Sequence, residues 1–392
     1  MDWKIYDYQL PEENLALKPA QSRDKSKLFI YNSVNDEILF DYFLNLDKYL
    51  PKKSFLVLNN TKVAPVRVEM IKKTGGKVKT VFLINEYQGD KKIKLLVDRK
   101  VNVGDELFFQ SGLSVKIIEQ KEKIFLGSFD FEDKKLFEQF YKYGSMPIPI
   151  YLKKTSLSET QLKKSYQTVF AKKVGSVAAP TASLHFTNRV FKKIKKKGIN
   201  KFFITLHVGM GTFTPVTEEN LKNKSLHEEY YEVDYQSFKS FETLRKQGKK
   251  LVAVGTTVVR TLESVVRSSF KLFRDSTIES FIVREFPLPM VGHSKAKKIK
   301  PSFLLNNNNL SLTKNQSFSF FEKTNLFIFP PFNFKMVDCL ITNFHLPKSS
   351  LMMLVEAFLQ HKKAKRHLVD LYKIAIENNF RFYSFGDAML IV

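Results

Sequence analysis

Cysteine is almost absent: Cys339 is the single thiol in 392 residues. One thiol excludes internal disulfides, cysteine-based zinc sites and Cys-ligated iron–sulfur clusters. It lies in the apolar run VDCLI, which predicts a buried, inert side chain. Long apolar runs are lacking too. The best, residues 351–359, is half of the roughly 18 residues that a membrane span requires. The opening MDWKIYDYQL is acidic and has no cationic-then-apolar signal, so a cytoplasmic chain with no membrane partner is expected. No Walker loop, HExxH or GxSxG is present. The histidines lack ligand spacing and no carboxylate-rich loop has the form of a cation cage, so no metal is expected.

What is present is apolar and basic. The 43% apolar and 14% aromatic content reads as globular. The length suits two or three domains, or one large domain with an insertion. A net charge of +25 and a pI near 9.7 point to a polyanionic partner, with nucleic acid the natural candidate. The competing explanation is compositional: Lys outnumbers Arg, and Asn and Phe abound, as in proteins of AT-rich genomes.

Residues 1–64 read as mixed structure, with strands at 28–31 and 55–58. Residues 65–147 change character. Short alternating runs such as VRVEM, KVKTVFLINEY and LSVKIIEQ are separated by Gly-containing turns, the pattern of a small antiparallel β-barrel inserted into the chain. From 148 to 392, strand–loop–helix repeats. The strands KFFITLHV, LVAV and VDCLIT each end in Gly, Thr, Asn or His. That rhythm predicts an α/β domain with a mainly parallel sheet, or an open-barrel variant, built from 1–64 and 148–392. Its ligand crevice belongs at the C-terminal strand ends, which should converge. Residues 268–323, rich in Lys, Ser and Asn, interrupt the rhythm and read as a flexible insertion.

The chain is organised around 166–187, YQTVFAKKVGSVAAPTASLHFT. Gly175, Ser176, Ala178, Ala179, Ala182 and Ser183 keep bulk away, so a ligand or another backbone can approach closely. Pro180 stops a helix and Thr181 is a good N-cap, which predicts a helix carrying His185 in its first turn. A tight packing corner accounts for these residues equally well. His185, His207 and His345 fall near strand or helix ends. Each alone reads first as structural; three facing one crevice read as acid–base candidates. Glu228 and Glu229 follow His227, as an acid–base group or an exposed strand start. Arg260, one turn into the helix after Gly255, is placed for a carboxylate or phosphate or for an i, i+3 pair with Glu263. Gly209–Met210–Gly211 is a weak dinucleotide signal, and Asp387 is a ribose candidate or an ordinary turn residue.

Together, GSVAAPTASLHFT, ITLHVGMGTFTPV, HEEYYEV, VAVGTTVVRTLES, ITNFHLPKSSLMMLVEAF and RFYSFGDAMLI resemble the motifs of the S-adenosylmethionine:tRNA ribosyltransferase-isomerases of queuosine biosynthesis. The N-terminal YDYQLPEENLA, RDKSKL and LVLNNTKVAPVR fit the same family. The resemblance runs from about residue 5 to the end, apart from the insertion. It implies an α/β domain with an inserted barrel, S-adenosylmethionine as cosubstrate and no metal. The implied partner is a tRNA anticodon loop carrying 7-aminomethyl-7-deazaguanine; a monomer is expected. The implied reaction gives epoxyqueuosine, adenine and methionine. Under it, His185, His207, His345, Glu228 and Asp387 are the catalytic candidates. Gly175, Ser176, Ala179, Thr181, Gly209, Gly211, Thr256, Thr257, Arg260 and Asn343 are the substrate-binding candidates. Phe344, Tyr230 and Tyr231 are stacking candidates whose alternative fate is core packing.

The chain departs from the family pattern at Ser183, usually Gly; at Met210, usually small; at Ser145, usually His; and in VDRKVNVGD, which lacks a Pro–Gly. Two other readings compete. A methyltransferase needs a Gly-rich loop after the first strand and an acidic residue beyond it, and neither is clear. A non-catalytic tRNA-binding protein would keep the charge while losing His185, Asn343 and Asp387, which are present.

Overall fold

The computed structural model describes residues 3–87, 89–209, 211, 216–274 and 319–392. Most of the expected insertion, and Met210, lie outside the described residues.

Alternating runs after residue 66 close into a barrel. Arg67–Lys72, Lys77–Phe82, Lys92–Val97, Ile124–Ser128, Ser114–Lys121 and Glu106–Phe108 pair in that order, and the last returns to the first. All the pairings are antiparallel. Alternate residues, among them Val68, Met70, Val78, Leu95, Val115 and Ile117, fill the inside, as the period of two requires. The 3-10 turn Ile84–Glu86 carries the buried Asn85 against Gly209 of the larger sheet.

The second body is a nine-stranded sheet. At its centre, Asn200–Leu206, Ser54–Asn59, Lys250–Val254 and Cys339–Asn343 lie side by side and parallel. The Ser54–Asn59 strand, SFLVLN, is buried at every position because both faces are covered. Val258, Val259, Leu262 and Val265 cover one face from the helix Thr256–Arg274. Cys339 is buried as expected, and burial pushes its thiol up to about 11.

The sheet is mixed rather than mainly parallel. Two helices, Ser350–His361 and Leu368–Glu377, separate Cys339–Asn343 from Ala388–Ile391. Two crossings return the chain to the end it left, so the last strand runs antiparallel to its neighbour. At the other side, Ser225–Asp234 and Ser319–Leu326 add as antiparallel strands. No helix among the described residues is long and apolar enough to cross a membrane.

Candidate active site

The four parallel strands end at His207, Asn59, Gly255 and Asn343, across three strand spacings of about 14 Å in all. Asn59 ties two of these ends together. Its amide oxygen accepts from Thr61 N and Leu206 N, each at 3.1 Å, and its amide nitrogen donates to Leu206 O at 3.0 Å and Thr257 Oγ1 at 3.3 Å.

The small-residue segment lies across this row. Ser176 Oγ accepts from Val208 N at 2.9 Å and donates to Ala178 O at 2.7 Å, fixing the segment beside His207. Gly175 has φ +152°, and a Cβ there would sit 2.6 Å from the His207 ring. Farther along, Ala182 packs 3.7 Å from where a Gly255 side chain would begin. His185 then meets Asn343, whose Nδ2 donates to His185 Nε2 at 3.2 Å. The segment therefore spans all four strand ends.

The helix boundary differs from the expectation. Thr181–His185 is a 3-10 turn, and the α-helix is Asn188–Lys196. The cap is Thr187, whose hydroxyl accepts from Val190 N, whereas Thr181 makes no capping bond. Ala179 is buried, while Thr181 and Thr257 are half-buried.

All three histidines are buried and uncharged at neutral pH. Burial pushes each down to about 3. His185 is lowered further by the Arg381 guanidinium, and His207 by the Lys173 ammonium. His207 Nδ1 is hydrogen-bonded to Thr61 Oγ1 at 2.8 Å, and His345 Nε2 to Thr342 Oγ1 at 2.7 Å. Tyr372 O–H accepts the His345 backbone N–H at 2.9 Å.

The carboxylates sort differently. Glu228 is exposed and pairs with Lys323 at 3.0 Å. Glu229, its neighbour, is buried: Oε1 accepts Gly209 N at 2.8 Å, and Oε2 pairs with Arg260. Arg260 thus reaches across to the Ser225–Asp234 strand instead of along its own helix. Glu263 takes Arg267 at 2.6 Å and two backbone N–H groups, from Lys335 and Met336. Glu229 was not among the candidates because HEEYYEV gives no hint which glutamate faces inward. Asp387 is 1% exposed and wholly engaged, accepting from Lys27 N at 3.0 Å, Arg381 N at 2.8 Å and Arg381 Nη2 at 3.1 Å. Its geometry holds the last loop in place. Thr256 is buried at the start of its helix. Phe344 is fully buried against Phe382, and Tyr230 stacks on Phe321. Among the described residues, no group of three His, Cys, Asp or Glu could hold a metal ion.

Residues 3–391 match the family described as queuosine biosynthesis protein. The chain belongs to that family. The S-adenosylmethionine:tRNA ribosyltransferase-isomerase of Halothermothrix orenii is 38% identical over 99% of this chain and 98% of its own. The protein of that name from Carboxydothermus hydrogenoformans is 36% identical over the full length of both. A crystal structure of S-adenosylmethionine tRNA ribosyltransferase from Thermotoga maritima shares 29% identity over 99% of each chain, with a TM-score of 0.49. For a member of this queuosine biosynthesis family, the motif-bearing loops form one continuous row. His207, Gly175, Ser176, Gly209, Thr257, Gly255, Asn343 and His185 all lie on it. Glu228 pairs with Lys323, while Asp387 pairs with Arg381 and its backbone carbonyl accepts from Asn343 Nδ2 at 3.3 Å.

Proposed function

We propose that the chain transfers and isomerises the ribosyl group of S-adenosylmethionine onto 7-aminomethyl-7-deazaguanine at the tRNA wobble position. Epoxyqueuosine-tRNA, adenine and methionine are the products. The observation that carries this reading is the small-residue segment laid across four parallel strand ends, with an uncharged imidazole at each end of the row. An imidazolium beside a sulfonium would repel it. Histidines kept neutral by burial accept the cationic cosubstrate without that cost.

The chemistry requires a proton to leave the 5′ carbon, which the sulfonium acidifies. Adenine is then expelled, the aminomethyl nitrogen attacks, and methionine departs. His207 and His345 are our proton acceptors. Each has one ring nitrogen engaged by a threonine hydroxyl, which fixes the ring's orientation. His185, oriented by Asn343, is our partner for the departing base. No metal enters any step, and S-adenosylmethionine is consumed as a cosubstrate.

The target base lies in a single-stranded loop and must leave its stack to reach the row. The positive charge of the chain supports RNA binding, which weakens with salt as phosphate contacts release counterions. One incubation with S-adenosylmethionine and tRNA carrying the aminomethyl base tests the reading. Adenine release supports it. S-adenosylhomocysteine would make the chain a methyltransferase, and neither product would leave a binding protein.

A further inference from the structure

Beside the His207 end of the row lies a concavity lined by Glu229, Arg260, Ile328, Ser350 and Leu354 among others. Two opposite charges share its wall. Arg260 is 6% exposed and Glu229 3%. Arg260 Nε donates to Leu326 O at 3.2 Å, and Nη1 pairs with Glu229. Nη2 donates to Thr324 O at 3.5 Å, so the described residues engage three of the guanidinium's five N–H groups. Ser350 opens the helix Ser350–His361; Ser349 Oγ caps Met352 N at 3.3 Å, and the earlier N–H groups of the first turn, which have no intrahelical partner, favour an anion. Its side chain is 7% exposed, and its hydroxyl makes no hydrogen bond among the described residues. Ile328 and Leu354 supply an aliphatic flank.

Three ligand chemistries can be weighed against this wall. A lone phosphate would gain Arg260 but meet the Glu229 carboxylate, and like charges in contact repel. A lone cation meets the reverse. A zwitterion with an ammonium and a carboxylate on one carbon satisfies both. An α-amino acid attached to a short methylene chain also uses the aliphatic flank. Gly209 donates to Glu229 and lies two residues beyond His207, so such a group held here points its chain toward the row.

We propose that this concavity holds the amino-acid end of S-adenosylmethionine. The carboxylate sits on Arg260 and the first turn of the Ser350 helix, and the ammonium on Glu229. This rests on the reaction assigned above. It makes Glu229 a binding residue and turns Arg260 away from RNA phosphate.

The test compares two ligands on the full chain by equilibrium binding: S-adenosylmethionine, and 5′-methylthioadenosine, which keeps the nucleoside and lacks the amino acid. Glu229→Gln keeps an acceptor for Gly209 N and removes the charge. It should weaken S-adenosylmethionine by about 10- to 100-fold, the range of a charged hydrogen bond, and leave methylthioadenosine within about twofold. Ser350→Glu places a carboxylate where the ligand's belongs, at a helix start that tolerates acid. It should weaken S-adenosylmethionine alone, by about tenfold or more, with the buried pair intact. Equal losses for both ligands, unchanged S-adenosylmethionine affinity in both variants, or no binding to the native chain would overturn the proposal. Adenine release by the native chain without ligand discrimination sinks this site and spares the reaction. Discrimination without adenine release does the opposite.

Discussion

The two ends of the strand-end row solve burial in opposite ways. At the His207 side, Glu229 and Arg260 keep full charges out of water by facing each other. At the Asn343 side, His185 gives up its charge. It lines a smaller concavity with Arg23, Ser26, Ser384 and others. Burial first, then the Arg381 guanidinium, hold that imidazole neutral. Asp387 spends its charge on Arg381 and two backbone N–H groups. One concavity thus has a buried ion pair in its wall, and the other a neutral imidazole. A cosubstrate that is charged at one end and carries a neutral base at the other matches that polarity.

The largest effect should come from breaking the charged end. Arg260→Met fills similar space but strands Glu229 in the interior. Leaving one partner of a buried pair alone costs about 3–5 kcal/mol. Urea unfolding at neutral pH reads the loss directly. A change below about 1 kcal/mol would mean that water reaches Glu229, and the contrast between the two ends would fail.

The neutral histidines should show themselves next, through acid. Each has an ordinary value of 6.5 and a folded value of about 3. Between those values the unfolded chain binds more protons, so stability falls as pH is lowered through the window. The slope approaches about 1.4 kcal/mol per pH unit for each fully uncharged histidine. Urea midpoints measured between pH 7 and pH 4 should drop steadily, and His345→Gln should flatten the slope whatever it does to stability at pH 7. An unchanged slope would show that His345 protonates freely in the folded chain.

How much of this was legible beforehand depends on whether a residue's neighbours are local. The barrel was, because alternation and Gly-containing turns act over a few residues. The parallel strand ends were, because strand–loop–helix units place like ends together. The antiparallel last strand was not: VDCLIT and AMLI look alike, and only the pair of helices between them reverses the direction. Helix capping misled for a related reason. Thr181 and Thr187 are equally good caps by type, and only the fold shows which hydroxyl meets an N–H. The motifs singled out His185, His207, Gly175 and Asn343, and the fold brings them onto one row. Glu229 was passed over for Glu228, since a strand's inward face is set by its partner strands. Arg260 was found, but its partner lies 31 residues away, beyond any helical spacing rule.

A smaller effect probes the neutral end. Ser183 is fully buried, and its hydroxyl has no hydrogen-bond partner among the described residues. The Asn343 amide oxygen nearby in the fold is also unpartnered. An unpaired buried hydroxyl costs about 1 kcal/mol or more. Ser183→Ala should therefore raise stability by about 1 kcal/mol. If the hydroxyl serves the substrate, the same variant also slows adenine release. A variant that is less stable would show that Ser183 is satisfied in solution, which a buried water would explain.

The smallest effect is expected one residue from the largest. Successive residues of a strand point to opposite faces, so Glu228 and Glu229 share a sequence environment and nothing else. Glu228 is more than half exposed, and its pair with Lys323 is screened by solvent. Glu228→Gln should change stability by less than about 0.5 kcal/mol and leave adenine release within about twofold. Glu229→Gln should weaken S-adenosylmethionine strongly. Steady-state kinetics on the two variants side by side therefore asks which face of the Ser225–Asp234 strand belongs to the site. A large loss at Glu228, with Glu229→Gln nearly silent, would reverse the strand's assignment and take the charged end of the row with it.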